Sequence, residues 1–149
     1  MNEAPQVLQS LIDLGRSLEP VAVAVCHPCT DVSLAGAAEA GRAQLIDPVP
    51  VGPPAKMQAV ADRIGVDISR YRLVATAHSH ESAARAVALC RSAECEAPMI
   101  KTAGIVLGAR VPVILTSRAD SAETRLASSA VAVKLAHARR QGTADAIRA

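Results

Sequence analysis

The sequence predicts an α/β fold, a three-layer α/β/α sandwich around a mostly parallel sheet. Short apolar runs such as 21–25 and 111–116 are rich in Val and Ile and have the length of strands buried on both faces. Stretches of helical period lie between them, each opened by a capping residue or a proline. The order strand, loop, helix recurs along the first part of the chain, which is the pattern of a parallel sheet with covering helices.

Each element has its own signal. Residues 4–18 form a first helix whose apolar side is Val7, Leu8, Leu11, Ile12 and Leu14, and Pro20 stops it. Residues 21–25 are the first strand. Thr30 or Asp31 caps a helix that runs to about Gly41. The second strand, 44–51, contains Pro48 and Pro50, which places it near a sheet edge. Pro53 and Pro54 suit a helix's first turn, where a missing N–H costs nothing. Met57, Val60, Ala61 and Ile64 continue that helix, and Gly65 ends it. Residues 72–77 are a third strand. Ser79 caps the next helix, with Ala84, Val87, Ala88 and Arg91 on one side. Residues 97–101 make a further short strand and 111–116 a clear one. Asp120 and Glu123 have capping-box spacing, and Leu126, Ala130, Val133 and His137 mark a long last helix to about Arg140. The segments 1–101 and 103–140 are expected to build one domain, with 141–149 as a tail.

Composition restricts both the core and the function. The chain has 149 residues, half of them hydrophobic, with neither Trp nor Phe and with Tyr71 as its single aromatic. A length of this kind suits one domain with a real core. Ala, Val and Leu must fill it, so helices and strands must approach closely. A formal charge of +2, spread along the chain, is too weak a signal for nucleic acid or an anionic membrane. Base stacking has no aromatic platform. No apolar run is long enough for a bilayer, and residues 1–20, with Glu3, Asp13 and Glu19, lack the pattern of a signal peptide. A cytoplasmic setting is expected, in which Cys26, Cys29, Cys90 and Cys95 are not a disulfide framework.

Ligands of parallel sheets bind beyond the carboxyl ends of the strands. That selects the loops 27–31, 78–81 and 117–121. In the third, Ser117 offers a hydroxyl and Arg118 a planar cationic fork suited to phosphate or carboxylate. The helix beginning near Asp120 adds backbone N–H groups and a positive dipole end. The plainer reading is that Ser117 and Asp120 only cap the helix and Arg118 is solvated. Cys26 and Cys29 have the spacing of a metal or redox pair, with Cys90, Cys95, His78 and His80 available as further ligands, but Cys26 ends an apolar strand and suits a core. His78 and His80 are a secondary candidate, with no carboxylate at a fixed spacing. The run 104–108 lacks the spacing of a phosphate loop.

Several of these segments resemble one family. The run 27–37, His-Pro-Cys-Thr-Asp-Val-Ser-Leu-Ala-Gly-Ala, is similar to the first loop and helix of phosphate acetyltransferases and phosphate butyryltransferases. Val51-Gly52-Pro53 and His78-Ser79-His80 resemble the family's second and third strand-to-helix turns. The most specific likeness lies within 104–130, in Gly-Ala-Arg-Val-Pro-Val-Ile-Leu-Thr-Ser-Arg-Ala-Asp-Ser, which is similar to the family's C-terminal end. The resemblance implies acyl transfer between coenzyme A and inorganic phosphate, without a metal and with the coenzyme A thioester as substrate. It also implies two α/β domains with a cleft between them, the second inserted into the first. Ser117 and Arg118 fall on the family's Ser-Arg pair, implicated in substrate and phosphate contact. Thr124 stands near the place of its catalytic aspartate, so no base role transfers. The chain passes from Lys101-Thr102 directly into Ala103-Gly104, and the inserted domain has no counterpart. A second copy or a partner chain can supply the other wall of the cleft. The alternative is a non-catalytic anion-binding or protein-interaction domain derived from that family.

Overall fold

The computed structural model describes residues 3–100, 104–106, 112–115 and 121–142. The helices are α1 (Glu3–Arg16), α2 (Asp31–Arg42), α3 (Pro54–Ile64), α4 (Ser79–Arg91) and α5 (Ala122–Arg140). The strands are β1 (Val21–Cys26), β2 (Ile46–Gly52), β3 (Val74–Ala75), β4 (Ala97–Ile100), β5 (Gly104–Val106) and β6 (Val113–Leu115). They form one sheet in the order β3-β2-β1-β4-β6-β5. All neighbours are parallel except β5 and β6. The expected three-layer sandwich with a mostly parallel sheet is what the chain adopts, and strands from both of its segments enter that sheet.

Alternation along β1 separates the layers. Val21, Val23 and Val25 face a cluster built with Ala37 and Ala40 of α2 and Ala130, Val133 and Ala136 of α5. Ala24 faces the other way, toward Ala86 and Leu89 of α4 with Val49 and Val51 of β2. A third cluster, Leu34, Met57, Val60, Ala61 and Ile68, joins α2 to α3. The alanine-rich composition has its consequence at the α1–α5 contact. A Cβ on Gly15 would lie 2.7 Å from both Ala130 Cβ and Leu45 Cδ2, so the helix can seat only because residue 15 has no side chain. Of the apolar side expected for α1, Ile12 is buried, whereas Val7 and Leu14 are exposed.

Three expectations shift, and one holds: β2 lies near an edge, second in strand order with only β3 outside it. The prolines of β2 are tolerated for the reason edges tolerate them. The Val51 carbonyl accepts from His27 N on the β1 side, and the Gly52 carbonyl accepts from Thr76 N on the β3 side. Pro48 and Pro50 share the parity of Gly52 and so face β3, which pairs only with Val51 and Gly52. No ladder partner stands beside either proline, and the missing N–H groups cost no hydrogen bond. The expected strand 72–77 contracts to Val74–Ala75. Helix α4 buries Ser82, Ala86 and Leu89 rather than Ala84, Val87 and Arg91, and its N-cap is His78, not Ser79. The last helix is capped by Ser121, whose side chain accepts from Thr124 N, one residue beyond the expected Asp120. Thr30 caps α2 in a reciprocal box with Ser33, and Gly65 ends α3 in the left-handed conformation at φ 68°. A glycine there carries no Cβ penalty.

Candidate functional site

The chain changes direction between β1 and β4. From β1 it proceeds through α2 to β2 and through α3 to β3, all on one side. From β3 it returns through α4, across the other face, to β4. The carboxyl ends of β1 and β4 therefore diverge, which is where ligands of such sheets lie.

The loop after β1 is sharply shaped. His27 adopts φ 47°, a left-handed conformation that few non-glycine residues take. Its N–H donates to the Val51 carbonyl at 2.8 Å, and its carbonyl accepts from Cys29 N at 2.7 Å. Thr30 then opens α2. Gly52, at the end of β2, lies alongside: a Cβ there would be 3.6 Å from His27 Cα and 3.2 Å from Met57 Sδ. Thus the end of β1 and Met57 of α3 both close on Gly52.

The start of α4 supplies the polar contacts. Ser82 is fully buried and Thr76 is 8% exposed. Ser82 Oγ lies 2.7 Å from Thr76 Oγ1, 3.0 Å from the His78 carbonyl and 3.3 Å from His27 Nδ1. Burying Ser82 is tolerable because each of its hydrogen-bonding positions has a partner. Glu81 turns back to accept from Ala77 N at 2.7 Å, closing the helix's first turn.

The side chains of His78 and His80 are exposed. Their rings stack with centroids 5.5 Å apart at 20°. His78 joins the site through its carbonyl. Ser117 and Arg118 lie outside the described residues, as do Asp120 and the 101–103 junction. Thr124 is at the third position of α5, with Oγ1 2.9 Å from Ser121 Oγ, so it serves the helix cap. Arg125 follows on the same turn. Its side chain is 14% exposed, and Nη2 lies 3.5 Å from Glu39 Oε2. Gly36 makes room for it, since a Cβ there would meet Arg125 Nε at 3.1 Å. A guanidinium is thereby held in the seam between α2 and α5.

The cysteines do not form a chelating set. Cys26 packs against the α4-side cluster and Cys29 against the cluster between α2 and α3. Among the described residues no group of three His, Cys, Asp or Glu side chains is placed to hold a metal. Burial, with Cys95 nearby, pushes the Cys90 thiol up to about 11, and burial also raises Cys95. Both thiols stay protonated at neutral pH and are poor nucleophiles and ligands there. They line a cavity of about 260 Å³ with Glu96, Pro112 and Arg140. That cavity lies at the amino end of β4, at the opposite end of the strands from His27. We assign the site to the carboxyl ends because the polar network and the topology meet there. Among the described residues no helix is long and apolar enough to cross a membrane.

His27, Ser82 and Thr76 are the part of this site that sequence reasoning reaches least. The loop 27–31 is selectable as a strand end, but the pairing of residue 27 with residue 82 spans the whole of two strand-helix units. The one local signal is a serine on the buried side of α4.

Comparison with known proteins finds similar chains. A protein named phosphate acetyltransferase from Rhizobium meliloti is 41% identical over 92 residues, covering 62% of this chain and 29% of the relative. One from Rickettsia felis is 37% identical over 98 residues, 66% of this chain and 28% of the relative. One from Rickettsia typhi is 40% identical over 82 residues, 55% and 24%. The chain is similar to phosphate acetyltransferases. It spans less than a third of the length of these curated relatives. No family model matches it.

Proposed function

We propose that this chain is a phosphate acyltransferase-like protein that moves an acetyl or butyryl group between coenzyme A and inorganic phosphate. The observation that carries the reading is the 37–41% identity to proteins named phosphate acetyltransferase over more than half of the chain. The carboxyl ends of β1 and β4, with the polar network at His27, are where such substrates would meet. Ser117 and Arg118 are the proposed phosphate contacts, carried over from the family's Ser-Arg pair, and the coenzyme A thioester is substrate rather than bound cofactor. We place the reaction in the cytoplasm, and the second wall of the cleft comes from another copy of the chain or from a partner. Such a wall matters physically. Acyl transfer needs an oriented phosphate, a shielded cleft and donors to the developing oxyanion, and removing one such donor costs about 10²–10³ in rate.

The test is direct. Purified protein is mixed with acetyl- or butyryl-coenzyme A and phosphate, and release of free thiol is followed. Turnover is expected, with Arg118→Ala lower by about 100-fold. No turnover above background, with Arg118→Ala indistinguishable from the parent, overturns it. The span of only 24–29% of the curated relatives favours a second reading in that event. The chain would then be an anion-binding or interaction domain without turnover, detectable as phosphate binding that Arg118→Ala abolishes.

A further inference from the structure

Helices α2 and α5 cover the same face of the sheet with small apolar side chains, Ala37 and Ala40 on one and Ala130, Val133 and Ala136 on the other. Alanines present shallow ridges, so such a seam does little to fix how one helix lies along the other. One charged group enters it. Arg125, in the opening turn of α5, has a side chain only 14% exposed, and its Nη2 lies 3.5 Å from Oε2 of Glu39 on α2. That separation is long for a hydrogen bond and is that of an ion pair. The arginine passes beside Gly36, where a Cβ would stand 3.1 Å from Nε and 3.3 Å from Cδ. Its backbone is held as well. Arg125 N donates to the Ser121 carbonyl at 3.1 Å, and the buried Ser129 donates through Oγ to the Arg125 carbonyl at 3.1 Å. Burying a guanidinium carries a desolvation cost that an apolar side chain in the same seam would not. The best-attested use of a charge in an otherwise apolar helix contact is to set register.

We infer that Arg125 is a positioning residue: its pairing with Glu39 fixes the first turn of α5 against α2, and through that turn the segment that carries Ser117 and Arg118. This rests on the reading of those two residues as phosphate contacts. The two helices open from two of the strand-end loops that the topology selects. α2 follows the loop after β1, and α5 follows residues 116–120 after β6. Ser121 is where the chain passes from the second of these into α5. It is also the acceptor for Thr124 N, through its side chain, and for Arg125 N, through its carbonyl. A shift of α5 along α2 therefore moves one loop relative to the other. Displacements of about 1 Å far from the reacting atoms are enough to cost about 100-fold in a reaction. Arg125 touches no substrate in this role; it acts through Ser121.

Amide hydrogen exchange on the full chain tests the tether, and titration with inorganic phosphate tests its consequence. Arg125→Met should speed exchange at the amides of residues 124 and 125 by about 10-fold, while Val133, further along α5, keeps the parent rate. No acceleration overturns the proposal, and so does an equal acceleration along the whole of α5, which a merely structural loss would give. Glu39→Met reaches the same pair from the other helix with a good helix former, so it decides the matter if Arg125→Met does not fold. It should give the same local result, and the double variant should lose no more than the larger single. Additive losses overturn the pairing. Both single variants should weaken phosphate binding by about 10-fold, with Arg125→Lys recovering part of it. Unchanged phosphate affinity in both overturns the positioning role. The two readings fail separately. No phosphate binding by the unsubstituted chain, with exchange accelerated only at residues 124 and 125, sinks the phosphate contacts and supports the tether. Phosphate binding that survives both substitutions does the reverse.

Discussion

One face of the sheet is layered by α2 and α5, with α1 packed behind α5, while among the described residues α4 alone closes the other. The first is sealed by small side chains at close approach: Ala37, Ala40, Ala130 and Ala136 against the valines of β1. The second is sealed by Leu89 and Ala86, and its upper end is polar, with Ser82 set among Thr76, His78 and His27. Close packing of small side chains thus belongs to one face and the polar network to the other. Helix α4 is also the one whose Ser82 lies beside the ring of His27.

Five experiments test that division. Leu89→Ala should have the largest effect, a loss of roughly 2–5 kcal/mol, because it empties the place of a fully buried leucine under α4. A denaturant midpoint moved by less than a quarter of the parent value would show that α4 is dispensable. Gly15→Ala attacks the other face by overpacking, since its Cβ would sit 2.7 Å from Ala130 Cβ. A loss of about 1–3 kcal/mol is expected, and a stabilised variant would mean that α1 is loosely docked. Ser82→Ala strips the acceptor from Thr76 and should cost about 1–3 kcal/mol. Thr76→Val in the same background should recover part of it, by leaving no buried hydroxyl unpaired. Additive losses in the double variant would contradict the network.

Ser121→Ala should cost about 1 kcal/mol at the α5 cap. The same loss from Asp120→Ala, with Ser121→Ala neutral, would move the cap back by one residue. The smallest effect belongs to the surface. Arg63 donates to Asp31, and that hydrogen bond holds the Asp31 carboxyl below its usual range. Its folded-state affinity for protons is therefore lower than in the unfolded chain. The contribution is present at neutral pH and fades as pH falls through the carboxylate range. Asp31→Asn should slightly narrow the gap between thermal midpoints at neutral and acidic pH. A widened gap would reverse the sign of that contribution.

The architecture was legible because its signals are local. Val-rich runs, proline at helix starts and Gly65 each act within a few residues. Where the reading slipped, a distant partner decided. The buried side of α4 is set by Ser82, which looks solvent-facing by polarity and is buried because Thr76 and His78 receive it. Pro48 and Pro50 correctly indicated an unpaired flank, but the strand beside it is too short to reach them rather than absent. Arg125 gave no sign of burial, since its room comes from Gly36 on another helix. Of the candidate site, the strand-end loops were selectable from topology. The link between His27 and Ser82 was not, because no spacing rule connects residues so far apart in sequence. Ser117 and Arg118 rest on resemblance and fall outside the described residues.

The two prolines of β2 have a consequence for the chain before it is fully folded. Ile46–Gly52 is buried in the fold except at Asp47, and until β3 docks at Val51 and Gly52 its outer flank faces solvent. An apolar strand in that condition is an invitation to join another molecule's sheet. Along Pro48–Pro50 the flank lacks the donors such a union requires, and a ring projects where a neighbouring backbone would have to lie. The motif that first looked like a defect in a strand therefore acts as a guard against intermolecular sheet growth, at the stage when the strand is most exposed.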